Sequence, residues 1–273
     1  MRAFICPLAS GSLGNALLVA TDRTQVLVDL GISRRRLKAG LAAVGADPEG
    51  IRAVLLTHTH RDHFSASAVA WCLGRRIPVY STEDNLAHLA YDLDGFAELV
   101  AGGLARPIDG QALHIGDVTV ESFPVPHDSA GQCLGFRLTL GGSHRRRAVA
   151  VATDLGHVPA ESLRWFLESD AVVIESNYDA EMLKRSGRPR FIVDRIAGPL
   201  GHLANEQAAE MVAEILGRSS LERQVAVVLF HLSEDANTPA MALRAHERLL
   251  GANSHRLKVS VAETRGPSPL VVL

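Results

Sequence analysis

The sequence predicts an α/β fold in which short buried strands alternate with amphipathic helices around a sizeable core. Three observations predict it. The chain has 273 residues and 47% hydrophobic content, enough to bury a large core in one unit. Apolar runs such as Val26-Leu27-Val28, Ala53-Val54-Leu55-Leu56 and Val225 to Phe230 are short and end at polar turn residues, as buried strands do. Longer stretches with helical spacing fall between them. One domain over residues 1–273 is expected, with no period of 20–50 residues and no low-complexity linker.

In chain order, strands are expected at 2–7, 16–20, 25–29 and 53–57, followed by a helical stretch near 65–74 and a strand at 78–81. Strands near 118–124, 133–140, 147–153, 171–175 and 225–230 then alternate with helical patterns near 159–168, 204–217 and 238–250. A last strand covers 257–263. The stretch Met1 to Cys6 leads into Pro7 and lacks the apolar core of a signal peptide, and no segment approaches membrane-spanning length. Cys6, Cys72 and Cys133 form no CxxC pair. Reduced thiols and a cytoplasmic protein are expected, with no membrane association and no sign of an obligate protein partner.

The formal charge of −2 supplies no overall basic footprint for nucleic acid. Local runs remain at Arg34-Arg35-Arg36, at Arg145-Arg146-Arg147 beside His144, and at Lys184-Arg185 with Arg188 and Arg190. Each can track a phosphate backbone, although a solvated helix or hairpin face explains such a run equally well.

The densest chemistry follows the strand ending in Leu56, where Thr57 to His63 packs four metal-capable side chains into one loop. In extended backbone, residues two apart project to the same side, so His58 and His60 can converge on one ion while Asp62 and His63 face a second. Imidazole and carboxylate suit zinc, manganese or iron, and the absence of cysteine favours an open, water-holding site over a closed structural one. A histidine-rich surface loop is the competing account, but the strand-then-loop setting argues against it. His127, after Pro124-Val125-Pro126, can complete a set with His58 and His60. His231, after the run ending in Phe230, can join Asp62 and His63, and Asp154, at the end of the run Ala148 to Thr153, offers two oxygens that can bridge both ions. Alone, His127 or His231 is as readily an ordinary hydrogen-bonded loop histidine.

The order His58-x-His60-x-Asp62-His63, then His127, Asp154 and His231, resembles the metallo-β-lactamase superfamily over nearly the whole chain. The resemblance implies an αββα sandwich, with two packed mixed β-sheets flanked by helices and two divalent ions, Zn²⁺ or Mn²⁺, along one edge. Asp29, after Val26-Leu27-Val28, resembles the early aspartate that holds the metal loop from behind. Only 77 positions separate Asp154 from His231, which leaves no room for the β-CASP insertion with which some family nucleases grip nucleic acid.

The fold hydrolyses lactams, thioesters and phosphodiesters, so local residues must discriminate. A carboxylate at 154, where the best-known lactamases place cysteine, is expected to keep two ions about 3.5–4 Å apart, which suits in-line attack on a phosphodiester. The segment Gly201-His202-Leu203 resembles the motif that tRNase Z and its relatives carry before their last ligand. That implies a catalytic His202 at the scissile phosphate or leaving oxygen, beside Asp62, with Asn205 placed to cap the following helix. The loop Ser10-Gly11-Ser12-Leu13-Gly14-Asn15, with Glu175-Ser176-Asn177 and Gly201-His202-Leu203, resembles the WalJ/YycJ group of DNA exonucleases. Ser12 and Asn15 are then expected to bind a substrate phosphate. Tyr178 stands where that group is expected to carry histidine. The expected activity is a binuclear, metal-dependent 5′-to-3′ DNA exonuclease. A thioesterase of glyoxalase II type and a non-catalytic metal-stabilised scaffold are the alternatives.

Overall fold

The computed structural model describes residues 3–141 and 146–273, with backbone alone at 252–254. The chain builds β1 (Ala3–Ala9), β2 (Ala16–Thr21), β3 (Gln25–Val28), α1 (Arg34–Ala43), β4 (Ile51–Leu55), α2 (Ala66–Arg75), β5 (Val79–Ser81), α3 (Glu83–Asp92), α4 (Phe96–Ala101) and β6 (Ala105–Pro107). It continues through β7 (Leu113–Ile115), β8 (Val118–Pro124), β9 (Leu134–Leu140), β10 (Arg147–Ala152), β11 (Ala171–Glu175), α5 (Ala180–Lys184), α6 (Arg190–Ile196) and α7 (Asn205–Arg218). β12 (Val225–Phe230), α8 (Pro239–Leu250), β13 (Leu257–Val261) and β14 (Val271–Val272) complete it.

Two seven-stranded mixed sheets result, ordered β14-β1-β2-β3-β4-β5-β6 and β13-β12-β11-β10-β9-β8-β7. Their facing sides share one apolar layer, in which Ile5, Leu17, Val26 and Leu55 of the first sheet meet Val120, Phe136, Val151, Val173 and Val228 of the second. The outer side of the first sheet is covered by Leu37 and Leu41 of α1, Trp71 of α2, Leu86 of α3 and Phe96 of α4. Met211, Val212 and Ile215 of α7, with Ala242 of α8, cover the other. Strands buried on both faces read as near-continuous apolar runs, which is why β2, β10 and β11 stood out in the sequence. This is the αββα sandwich that the resemblance implies.

Strand direction decides where the functional loops gather. β3 and β4 are parallel, as are β10, β11 and β12, while β8 reaches the direction of β10 through two antiparallel steps across β9. β1 likewise runs with β3 through β2. All these strands present their carboxyl ends at corresponding edges of their sheets, the place where α/β sheets hold ligands.

Two local expectations are corrected. The helical stretch near 159–168 is a 3-10 helix at Ala160–Trp165, because Pro159 starts it and only Ser162 and Leu163 are buried there. Asn205 does not cap α7. Ala204 occupies that place and its N–H is bound by the Gln207 side chain, while the Asn205 amide is buried between Ser176 and Asn237. The basic runs also separate by position. His144 and Arg145 lie outside the described residues, and Arg147 pairs with Asp170 at the far end of β10 from the loops. Arg36 donates to the carbonyls of Leu13 and Thr264, pinning the loop after β1. Lys184 and Arg185 pair with Glu181.

Candidate metal centre

The strand-end loops bring together every side chain the sequence singles out as a ligand. His58, His60 and His127 offer one set of three atoms, and Asp62, His63 and His231 another, each with its atoms within 4.8 Å of one another. Nε2 of His58 lies 3.1 Å from Nδ1 of His60. Nδ1 of His127 donates to the Gly201 carbonyl at 2.9 Å, which leaves a buried Nε2 with no hydrogen-bond partner. In the second set, Asp62 Oδ2 stands 3.5 Å from His63 Nε2 and 3.4 Å from His231 Nε2. Asp154 lies between the sets. Its Oδ2 is 3.2 Å from His63 Nε2 but out of line for a hydrogen bond, and its Oδ1 is 3.3 Å from His231 Nδ1 and 3.9 Å from His127 Nε2.

A shell of acceptors fixes which nitrogen of each ring faces inward. A carboxylate can only accept, so Asp29 Oδ2 at 2.7 Å takes Nδ1–H of His63 and turns its Nε2 toward Asp62 and Asp154. The other Asp29 oxygen accepts from the Thr57 N–H and hydroxyl, fastening the start of the loop. Glu175 performs the same task on the other sheet. Its Oε1 meets Nδ1 of His202 at 2.7 Å and Nδ1 of His231 at 3.1 Å, while its Oε2 accepts from the N–H groups of Leu155 and Leu203. Asp154, Glu175, His202 and His231 also lie close enough to surround an ion. Since both Glu175 oxygens are occupied by these donors, that grouping is a hydrogen-bonded support behind His231. The Ser10 hydroxyl takes the His231 N–H at 2.7 Å, and the Asn177 amide donates to its carbonyl. Ligand support of this kind orients a ring and raises its basicity.

Charge within the cluster is unevenly divided. Burial, reinforced by neighbouring His63, holds the His58 imidazole well below its ordinary value, and burial with His127 lowers His60. These rings are neutral ligands in waiting. Burial opposes charge on His63 and His231 too, but Asp154, Asp29 and Asp62 outweigh it at His63, and Asp154, Asp62 and Glu175 push His231 up to about 10. Burial in turn opposes ionisation of Asp154, yet His231 and His63 hold it well below the usual carboxylate range. The carboxylates thus favour positive charge at this spot. A divalent cation supplies it with both rings neutral, and the unpartnered His127 Nε2 and Asp154 Oδ2 are the donors it lacks otherwise. The residues present fit divalent metal.

His202 stands apart from the ligands. It lines a cleft of about 160 Å³ with His60, His127, Arg188 and Arg195, and its side chain retains 21% exposure. Burial opposes its protonation, but adjacent Glu175 raises its pKa above the ordinary value. Arg195 grips Asp128 at 2.6 and 3.1 Å, and Arg188 pairs with Asp235 at 2.8 Å, so each cation on the wall has an exchangeable partner.

Ser12 and Asn15 have different surroundings. Ser12 is exposed in the loop after β1. Asn15 is fully buried, which corrects the expectation that it meets phosphate. Its Oδ1 accepts from Gly11 N–H at 2.7 Å and its Nδ2 lies 2.9 Å from His63 Nε2 and 3.2 Å from Asp62 Oδ2. Its backbone N–H binds the Asp62 carbonyl. Gly31 packs against that same carbonyl so closely that a β-carbon would fall 1.7 Å from it. Asn15 and Gly31 therefore brace the metal loop. Sequence reasoning named Thr57, Glu175 and Asn177 within motifs but gave none of them its supporting role. A glutamate ending the apolar run Ala171-Val172-Val173-Ile174 was the available signal.

Residues 24–232 match the family described as Beta-lactamase superfamily domain. Exodeoxyribonuclease YycJ of Bacillus anthracis is 31% identical over 248 residues, covering 89% of this chain and 87% of that protein. Exodeoxyribonuclease WalJ of Streptococcus pneumoniae is 30% identical over 237 residues, covering 86% of this chain and 83% of that protein. The metallo-β-lactamase fold protein YhfI from Bacillus subtilis matches with a TM-score of 0.70 and 16% identity, over 100% of both chains, a likeness of fold.

Proposed function

This chain belongs to the β-lactamase superfamily, and we propose that it is a metal-dependent phosphodiester hydrolase that removes nucleotides from an end of DNA. One constellation carries this: two sets of imidazole and carboxylate atoms flanking Asp154 beside a cleft lined by His202. Similarity over most of the chain to two exodeoxyribonucleases supports the choice of phosphodiester and of DNA.

His58, His60 and His127 would hold one ion, Zn²⁺ or Mn²⁺, and Asp62, His63 and His231 a second, with Asp154 facing both. Ions in such a pair polarise a phosphoryl oxygen and bring the pKa of a water toward neutrality. The protein's own groups do the rest. Asp62 approaches His63 and His231 as Asp154 does, and would supply negative charge beside the attacking water. Glu175 biases His202 toward its charged form, so that Nε2–H can bind a phosphate oxygen or protonate the leaving oxygen. Arg188 and Arg195 can exchange their carboxylate partners for phosphate, a geometry guanidinium favours.

Between Asp154 and His231 the chain builds only the 3-10 helix, β11, α5, α6, α7 and β12. We read it as one catalytic domain without an inserted clamp. A strand would then enter by its end, with the exposed Ser12 at its terminal phosphate and digestion running 5′ to 3′. End-labelled single- and double-stranded DNA and RNA, incubated with metal-stripped protein and added Mn²⁺ or Zn²⁺, test this. Metal-dependent release of mononucleotides from 5′-phosphorylated DNA is expected. Efficient cutting of covalently closed single-stranded circles would refute the end requirement, because a circle has no end to hold.

A further inference from the structure

His127 lines a second cavity besides the His202 cleft. This one is of about 440 Å³ and is walled by Pro126, Pro159, Trp165 and Leu200, with Gln132, Glu161 and Arg164 supplying polar groups. Its volume falls within the range of small-molecule sites, roughly 300–1,000 Å³.

The walls have a particular chemistry. The Trp165 ring is stacked on buried Phe123 with an interplanar angle of 9° and centroids 5.4 Å apart, so the indole is fixed from one side yet only half-buried. The Arg164 guanidinium lies over the same ring, 5.1 Å from its centroid, so a base stacking there must displace it toward the phosphate. Unlike Arg188 and Arg195, Arg164 has no carboxylate partner among the described residues. The Gln132 side-chain amide likewise makes no hydrogen bond among the described residues, and Leu200 is 51% exposed. A rigid aromatic face, an unpaired guanidinium and a free amide that both donates and accepts together suit a flat heteroaromatic ring joined to a phosphate.

We propose that this cavity receives the nucleobase of the nucleotide whose phosphate occupies the His202 cleft, stacked beside Trp165 with Arg164 toward the adjoining phosphate. The proposal rests on the nucleic-acid function given above and adds where the base goes. Stacking discriminates weakly among bases, which accords with a nuclease that must proceed through any sequence.

The test uses the full metal-loaded chain and compounds it cannot shorten: deoxyadenosine 5′-monophosphate and 2-deoxyribose 5-phosphate, which differ by the base alone. Trp165 reports directly, since the other of the two tryptophans, Trp71, is fully buried. The nucleotide should quench tryptophan emission and the sugar phosphate should not. W165A should weaken the nucleotide by roughly 5- to 150-fold, as loss of one base stack predicts, while leaving the sugar phosphate unchanged. W165F, which keeps a ring against Phe123, should restore most of the affinity. In hydrolysis, W165A should raise KM for intact ends and not for ends whose terminal nucleotide is abasic. Equal binding of the two compounds by the wild type, or equal loss of both in W165A, would overturn the proposal. Failure of the wild type to cut any DNA would instead refute the parent function, with the nucleotide titration still deciding the cavity.

Discussion

Replacing Glu175 by glutamine reverses a hydrogen bond at the centre of the site with almost no change of shape. Oε2 of Glu175 is fixed by the N–H groups of Leu155 and Leu203, so the glutamine oxygen must take that place and its NH₂ must face His202 and His231. A donor then points at Nδ1 of His231, where an acceptor stood at 3.1 Å. The ring answers by carrying its proton on Nε2, the nitrogen that faces Asp62 and the proposed ion. Metal affinity should fall roughly 10–100-fold, the usual cost of losing such support. His202 responds through pH. Burial lowers its pKa and Glu175 at 2.7 Å outweighs that, so in the wild type its charged form survives to higher pH than an ordinary histidine's. A step needing that proton is active below the raised pKa and fades as pH rises through it. In E175Q the alkaline limb of the rate profile should therefore move to lower pH. Metal titration against a competing chelator and a pH–rate profile at saturating metal measure the two effects separately. Unchanged affinity together with an unchanged alkaline limb would refute the role assigned to Glu175.

D154A should cut hydrolysis by orders of magnitude and lower bound metal from about two per chain toward one, read by elemental analysis of dialysed protein. Full activity with unchanged metal would remove Asp154 from between the ions. H202A should be roughly 10²–10⁴-fold slower yet fully metallated; loss of an ion would mean that His202 and His231 have exchanged roles. N15A and S12A should part company. N15A leaves buried partners unpaired at a cost of about 1–3 kcal/mol each and should lower Tm and metal affinity, whereas S12A should keep Tm and lose preference for 5′-phosphorylated over 5′-hydroxyl ends.

The legible parts of the sequence were those in which one residue's neighbours state its role. β10, β11 and β12 announced themselves through apolar runs, and His58 to His63 through density of ligand types. α1 hid because it opens on three arginines and buries only Leu37, Gly40 and Leu41, too thin a stripe for a period. β6, β7 and β14, of two or three residues, carry no alternation to detect. In the site, Asn15 misled because a Ser/Gly loop suggests anion binding, whereas its amide is drawn inward by Asp62 across 47 positions of chain. Long-range partners of that sort leave no local mark. The same holds for Arg195, whose place on the cleft wall follows from how α6 meets the His127 loop, whereas Arg188 was legible as part of the basic run Lys184 to Arg190.

Three residues at this edge, Asp29, Asp154 and His231, turn the chain out of its strands with φ of 60°, 51° and 55°. Left-handed backbone costs most residues about 1–2 kcal/mol, and aspartate, asparagine and histidine are the side-chain-bearing types that occupy it most readily. Each of these positions thus answers two unrelated demands with one amino acid, a steric one and a chemical one. Glutamate carries the same charge as aspartate and would still be a poor replacement, since the turn and not the carboxylate would reject it. Asparagine inverts the case: at 29 and 154 it satisfies the turn and removes the charge. D29N and D154N are accordingly the substitutions that separate how this chain folds from what its edge can hold.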